Sequence, residues 1–200
     1  MAHINHHTQL LNYLINKHGL QSYLEIGVNN PMNNYHKIRL PVENKVGVDP
    51  CLTLKDNLLP ITSDIFFARQ TDKFDLIFID GLHYADQVKK DFENSLACLN
   101  DGGYILIHDT LPPSEETTCV PRGTQKQWWG DVYLFAMRLC EYDGIGFITF
   151  DFDCGCTLVW KEPGKKGIGY SYNNCWRTFE MAGRVLLNVS HEAAAQKMLT

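Results

Sequence analysis

Residues 74–110 have the sequence FDLIFIDGLHYADQVKKDFENSLACLNDGGYILIHDT. The apolar, β-rich run at 74–79 predicts a strand that a parallel sheet buries on both faces. Residues 88–99 carry apolar side chains at helical spacing, and a glycine pair then precedes a second apolar run at 104–107. The order strand, helix, strand predicts a β-α-β crossover unit with parallel strands.

Each of these two strands ends in acidic and imidazole side chains. Asp80 and His83 follow the first strand, and His108 and Asp109 follow the second. Because parallel strands bring their carboxyl ends to the same edge of a sheet, and ligands bind outside that edge in open α/β sheets, we expect chemistry there.

The composition is typical of a globular domain with a sizeable core. The chain has 200 residues, 44% of them hydrophobic and 20% charged, and a net charge of -5. The sequence contains no run of Lys or Arg. Together with the negative net charge, this argues against a nucleic-acid or anionic-membrane partner. No apolar run reaches the ~18 residues of a membrane-spanning helix, and the first residues lack a secretory pattern. Seven scattered cysteines fit reduced thiols, so we expect a soluble, cytoplasmic protein.

The remaining segments fit one domain over residues 1–200, with an N-terminal helix at 6–18 and a C-terminal tail at 171–200. The apolar tail residues fit a packed tail and a homodimer interface equally well: Trp176, Phe179 and Leu186. Hydrophobic patterns predict strands at 23–28 and 45–48, a helix through 35–38, a capped helix from 62, and an antiparallel pair at 145–150 and 156–160.

The order of these segments resembles class I S-adenosylmethionine-dependent methyltransferases. The motifs that carry the resemblance are YLEIGV at 23–28, KVGVDP at 45–50, TSDIFFA at 62–68, the stretch 74–110, and WWGDVY at 128–133. More narrowly, the chain resembles the Methyltransferase-24 type, which includes sugar and macrolide O-methyltransferases. The resemblance implies an α/β fold: a Rossmann-like, doubly wound, mostly parallel sheet with a C-terminal antiparallel hairpin.

The resemblance also implies where S-adenosylmethionine (SAM) binds. Gly27 would let the backbone approach the ligand, Glu25 would accept from its amino group or fix the loop, and Asp49 would take the ribose hydroxyls. The remaining cofactor residues implied by the resemblance are Asn29, Ser63, Asp64 and Asp80. The loop after Gly27 departs from the family because the usual second glycine is missing. Asn29 or Asn30 can replace it, since asparagine tolerates positive φ; the alternative is a reshaped pocket.

Methyl transfer to a hydroxyl needs alignment, and a base or a cation that activates the neutral alcohol. The resemblance makes His83 the base beside Asp80, and it implies a divalent cation, Mg²⁺ or another, held by Asp80, His108 and Asp109. Because His108 stands where relatives usually have an acid, it favours a softer metal, or it only bonds to nearby backbone.

Three further features have two interpretations each. Asp131 fits a helix N-cap or a substrate or metal contact, and the tryptophan pair at 128–129 fits packing or stacking on a sugar. Cys154 and Cys156 would face the same way in a strand, which predicts core positions rather than a zinc site.

The sequence therefore predicts a SAM-dependent O-methyltransferase acting on a hydroxylated small molecule or saccharide. The alternatives are a SAM- or nucleotide-binding protein without transferase activity, and a metal-dependent hydrolase or oxidoreductase on the same fold.

Overall fold

The computed structural model describes residues 4–169 and 172–190. It divides the chain into two compact units. The first unit comprises Met1–Leu82 and Lys90–Leu106, and the second comprises His83–Lys89 and Ile107–Thr200.

The strands of the first unit are mostly parallel, as predicted. The strands are β1 Tyr23–Ile26, β2 Lys45–Val48, β3 Leu58–Leu59, β4 Phe74–Ile79 and β5 Leu99–Ile107. Their order in the sheet is β3-β2-β1-β4-β5; β1 pairs in parallel with β2 and β4, and β2 pairs in parallel with β3. In this register Glu25 lies opposite Gly47 on one side and Phe78 on the other.

Three α-helices accompany these strands: α1 His7–His18, α2 Ser63–Phe67 and α3 Ala85–Ala97. Helix α1 ends at Gly19, whose φ of 63° is the left-handed conformation that favours glycine at a helix C-terminus. Helix α2 begins after Thr62, whose hydroxyl accepts from Ile65 N at 3.3 Å, so this predicted cap is confirmed. Short 3-10 helices cover Tyr35–Lys37 and Val42–Asn44.

The second unit contains the predicted antiparallel hairpin. Strand β6, Ile145–Phe150, pairs with β7, Cys156–Lys161, so that Ile145 lies opposite Lys161. A two-residue strand, β8 Val189–Ser190, adds to β6 in parallel, and the order is β7-β6-β8. The other elements are a 3-10 helix Glu115–Thr118, helix α4 Val132–Ala136 with its 3-10 continuation Met137–Glu141, and α5 Trp176–Leu186.

Several predicted elements are wrong in their extent, and the strand expected at 23–28 ends at Ile26. Leu99 was expected on the crossover helix, but α3 ends at Ala97 and Leu99 begins β5 with no exposed surface. The helix expected through 35–38 is only one 3-10 turn, Tyr35–Lys37, since the Asn- and Pro-rich segment before it forms turns.

The prediction of a single domain over 1–200 stays a prediction. Residues 171 and 191–200 of the expected tail lie outside the described residues. Within the described ranges, no helix combines the length and the apolar character that a membrane crossing requires.

Candidate functional site

In the first unit, the turn after β1 fits tightly against the end of β4. Gly27 has φ of 89°, and a Cβ added there would lie 2.1 Å from the carbonyl oxygen of Asp80. Backbone hydrogen bonds fix both chains, from Gly27 N to Val48 O at 2.8 Å and from Asp80 N to Ile26 O at 2.9 Å. Only glycine fits at position 27, which leaves the backbone of this turn unshielded by a side chain.

Asp49, at the end of β2, organises the loop that follows β1. Its Oδ2 accepts from Asn29 N at 3.0 Å, and its Oδ1 accepts from Cys51 N at 2.8 Å. Asn29 has φ of 49°, so this asparagine adopts the left-handed conformation expected of a glycine substitute. The loop therefore keeps a sharp turn without the second glycine, which weakens the argument for a reshaped pocket.

Glu25 lies in a buried polar network. Its Oε2 accepts from the Tyr23 hydroxyl at 2.7 Å and from Asn34 Nδ2 at 2.8 Å, and Asn34 Oδ1 accepts from the Thr8 hydroxyl at 2.8 Å. Glu25 is 2% exposed. Burial raises the pKa of Glu25 from 4.5 to about 8, although the bonds from Tyr23 and Asn34 act in the opposite direction. The carboxyl is therefore protonated at neutral pH.

The other predicted cofactor residues also lie in the first unit. Ser63 and Asp64 form the first turn of α2, where Asp64 is exposed and Ser63 is half-buried. Asp80 follows β4 directly and is half-buried. The structure thus gives every predicted cofactor residue a place in the same unit, and their roles toward SAM stay predictions.

In the second unit, His83 pairs with Asp109. His83 Nε2 lies 3.2 Å from Asp109 Oδ2, and the side chain of Asp109 is 8% exposed. The ring of Trp128 stacks on the imidazole, with 5.1 Å between centroids and an angle of 19°. The guanidinium of Arg122 lies 5.6 Å from the Trp128 centroid, within the range of a cation–π interaction. The ring of Trp128 therefore packs against His83 of its own chain, and stacking of the tryptophan pair on a sugar stays a prediction.

The segment 128–131 holds the backbone of His83. Asp131 N donates to His83 O at 3.2 Å, and a Cβ on Gly130 would lie 1.8 Å from that same oxygen. Asp131 is a cap, but for a different helix than expected, because its Oδ1 accepts from Ala85 N at 2.6 Å at the start of α3. Burial raises the pKa of Asp131, and the bond from Ala85 acts against this effect. His83 is therefore fixed through its main chain and its ring.

The ring of His108 lies between Asp109 and the loop that joins β6 to β7. Its Nδ1 lies 3.4 Å from Asp109 Oδ2, and its Nε2 lies 3.8 Å from Asp153 Oδ2. The Cys154 sulfur lies within 4.8 Å of donor atoms of His108 and Asp109. Cys154 is half-buried in the loop before β7, so the interpretation of Cys154 as a core strand residue is wrong. That interpretation holds for Cys156, which is fully buried in β7.

Sequence periodicity could not predict that Asp153 and Cys154 lie near His108. Both residues precede β7 with a left-handed backbone, with φ of 49° and 67°, and such a backbone leaves no periodic pattern. Burial raises the pKa of the Cys154 thiol and Asp109 adds to the effect, while the indole N–H of Trp129 acts in the opposite direction.

Comparison with known proteins shows what part of the chain is similar to. A family model described as a methyltransferase domain matches residues 45–110, from the start of β2 to just beyond β5. The fold is that of the class I methyltransferases. This finding confirms the resemblance that the sequence motifs indicated, and with it the predicted α/β fold class. No curated protein matches the chain in sequence.

Three solved methyltransferase structures are similar to the chain in fold. PaMTH1 of Podospora anserina, bound to S-adenosylhomocysteine (SAH), has 17% identity and a TM-score of 0.57, with 78% of each chain covered. TomG of Streptomyces achromogenes, in complex with SAM, has 15% identity and a TM-score of 0.54, covering 78% of this chain and 79% of that one. An O-methyltransferase of Bacillus cereus, in complex with SAH, has 14% identity and a TM-score of 0.55, covering 81% and 84%.

Proposed function

We propose that this protein is a SAM-dependent methyltransferase that methylates a hydroxyl group of a small molecule or saccharide. The observation that carries the proposal is the match to the methyltransferase domain over residues 45–110, which include Asp49, His83 and Asp109. The neighbours in complex with SAM or SAH, among them TomG and the Bacillus cereus O-methyltransferase, support the same cofactor and reaction.

The cofactor residues of the proposal lie in the first unit. Asp49 already holds two backbone N–H groups, and each carboxylate oxygen keeps a second lone pair that can accept a ribose hydroxyl. Gly27 leaves the backbone accessible to the ligand, while the Glu25 carboxyl is held by buried hydrogen bonds from Tyr23 and Asn34. Bound SAM supplies the electrophilic methyl group of the reaction.

On the acceptor side, His83 takes the hydroxyl proton. Nε2 of the ring lies 3.2 Å from Asp109 Oδ2, so the carboxylate orients the imidazole that serves as the base. Once the ring is protonated, the Asp109 carboxylate stabilises the imidazolium at 3.2 Å. The stacked Trp128 fixes the plane of the ring and shields it from water. Proton removal of this kind contributes roughly 100-fold or more to rate.

Magnesium does not fit the donors that surround Asp109 in the second unit. Mg²⁺ prefers oxygen ligands in octahedral geometry, whereas the groups beside Asp109 in this unit are the imidazoles of His83 and His108 and the thiol of Cys154. The proposed proton transfer by His83 needs no magnesium.

The test is calorimetric titration of the protein with SAM and SAH, followed by transfer of labelled methyl from SAM to a panel of hydroxylated acceptors. We expect both ligands to bind, and His83→Ala to lower turnover on the order of 100-fold with little change in SAM affinity. His36→Ala, at an exposed histidine, is the matched control and keeps its turnover. Absence of binding by both ligands contradicts the proposal, and full turnover of His83→Ala gives His83 a structural role only.

A further inference from the structure

The loop between β6 and β7 carries donor atoms that the methyl-transfer proposal does not use. Asp153 and Cys154 are consecutive, and both have left-handed backbone, as does Asp109 with φ of 59°. This conformation is uncommon for residues other than glycine, and it turns the loop toward the segment after β5.

The loop is fastened to that segment by main-chain hydrogen bonds. Thr110 N donates to Gly155 O at 3.2 Å, and Leu111 N donates to Cys154 O at 3.1 Å. A Cβ on Gly155 would lie 2.4 Å from Leu111 N, so only glycine permits this approach. The two segments therefore hold their side chains at a fixed separation before any ligand arrives.

The donor atoms of His108, Asp109 and Cys154 lie within 4.8 Å of one another. His108 Nδ1 and Asp109 Oδ2 are 3.4 Å apart. Bonds of 2.0–2.3 Å to a tetrahedral zinc ion place neighbouring donors about 3.3–3.8 Å apart. The imidazole and the carboxylate already have this separation, and the Cys154 sulfur lies within 4.8 Å of both.

Trp129 provides an independent observation at the same place. Its Nε1 is buried and, among the described residues, has no acceptor in hydrogen-bonding geometry. An indole N–H is only a donor, and the group whose ionisation it favours is the Cys154 thiol. A buried donor beside a sulfur atom is satisfied when that sulfur carries the negative charge of a metal-bound thiolate.

We propose that His108 Nδ1, Asp109 Oδ2 and Cys154 Sγ bind a borderline divalent cation such as Zn²⁺. Three protein ligands leave a fourth tetrahedral position open for water or an oxygen ligand, as in catalytic zinc sites. Coordination transfers the thiol proton to solvent. A second donor set, His108 with Asp153 and Cys156, is disfavoured because Cys156 is fully buried in the core.

The proposal does not depend on methyl transfer, because metal binding is measured without SAM or an acceptor. The full-length protein is stripped with a chelator and titrated with Co²⁺, whose thiolate complexes absorb by charge transfer in the near ultraviolet. We expect this band to saturate at a single ion per chain, and stoichiometric Zn²⁺ to remove it. A large excess of Mg²⁺ leaves the band in place, since a thiolate and an imidazole disfavour that ion.

Cys154→Ser should abolish the band, while Cys119→Ser, at an exposed cysteine outside the cluster, should retain it. His108→Gln keeps every cysteine and should weaken Co²⁺ binding by at least roughly tenfold. Circular dichroism verifies that each variant is folded. The proposal is overturned if wild type shows no band, if Cys154→Ser keeps it, if Cys156→Ser alone removes it, or if Mg²⁺ competes as well as Zn²⁺.

Discussion

Replacing Glu25 with glutamine should make the protein more stable at pH 8 and leave it nearly unchanged at pH 5. Burial raises the pKa of Glu25 from 4.5 to about 8 in the folded protein. The folded state therefore retains a proton that the unfolded chain has released, and stability declines as the pH rises from about 4.5 to 8. At about 1.36 kcal/mol per pH unit, the accumulated loss is about 5 kcal/mol, with no discount for solvent because Glu25 is 2% exposed.

Glutamine removes this loss because its amide does not ionise. Its carbonyl oxygen can still accept from Tyr23 and Asn34, so the network of the protonated carboxyl is preserved. Urea unfolding at pH 5 and pH 8 measures the free energy of unfolding of wild type, Glu25→Gln and the control Glu43→Gln, at an exposed glutamate. The difference between the first two should grow by several kcal/mol between these pH values, while the control follows wild type. A difference that is the same at both pH values refutes the reasoning.

Two more substitutions test the turn after β1 and the start of α3. Asp49→Ala should weaken SAM binding by roughly 1.5–3 kcal/mol. The substitution removes the carboxylate that would accept from the ribose and that accepts from Asn29 N and Cys51 N. Titration calorimetry measures this, and an unchanged dissociation constant removes Asp49 from the cofactor residues. Asp131→Ala should lower the free energy of unfolding by about 1 kcal/mol, since Ala85 N loses its cap. A urea midpoint equal to that of wild type counts against the cap.

The strands and their direction could be predicted because hydrophobic runs are local signals. The run at 74–79 became β4 with the same bounds, and the pair at 145–150 and 156–160 became an antiparallel hairpin. Where the signal is ambiguous, the prediction is wrong: Leu99 continues the helical spacing of α3, yet its burial is achieved in β5. Tertiary packing decides such a residue, and spacing alone does not contain that information.

The candidate site was predictable only in part, for the same reason. Residues that follow two successive strands, such as His83 and Asp109, can be expected to lie close together. In the structure, His83 Nε2 lies 3.2 Å from Asp109 Oδ2. Cys154 is far from both along the chain and reaches them through left-handed backbone that no periodicity reveals. Likewise, Asp131 looked like the cap of its own helix, but its carboxylate bonds to the main chain of Ala85.

The bond between Asp131 and Ala85 makes one amide proton a reporter of loop order. The first N–H groups of a helix have no partner within the helix, so they ordinarily exchange with deuterated solvent almost without protection. Here the Ala85 amide is held by a carboxylate from the segment that also holds His83 in place. Its exchange rate therefore follows the opening of that segment, and an acceptor or metal ion that orders the loop will slow the exchange of this amide before any product forms.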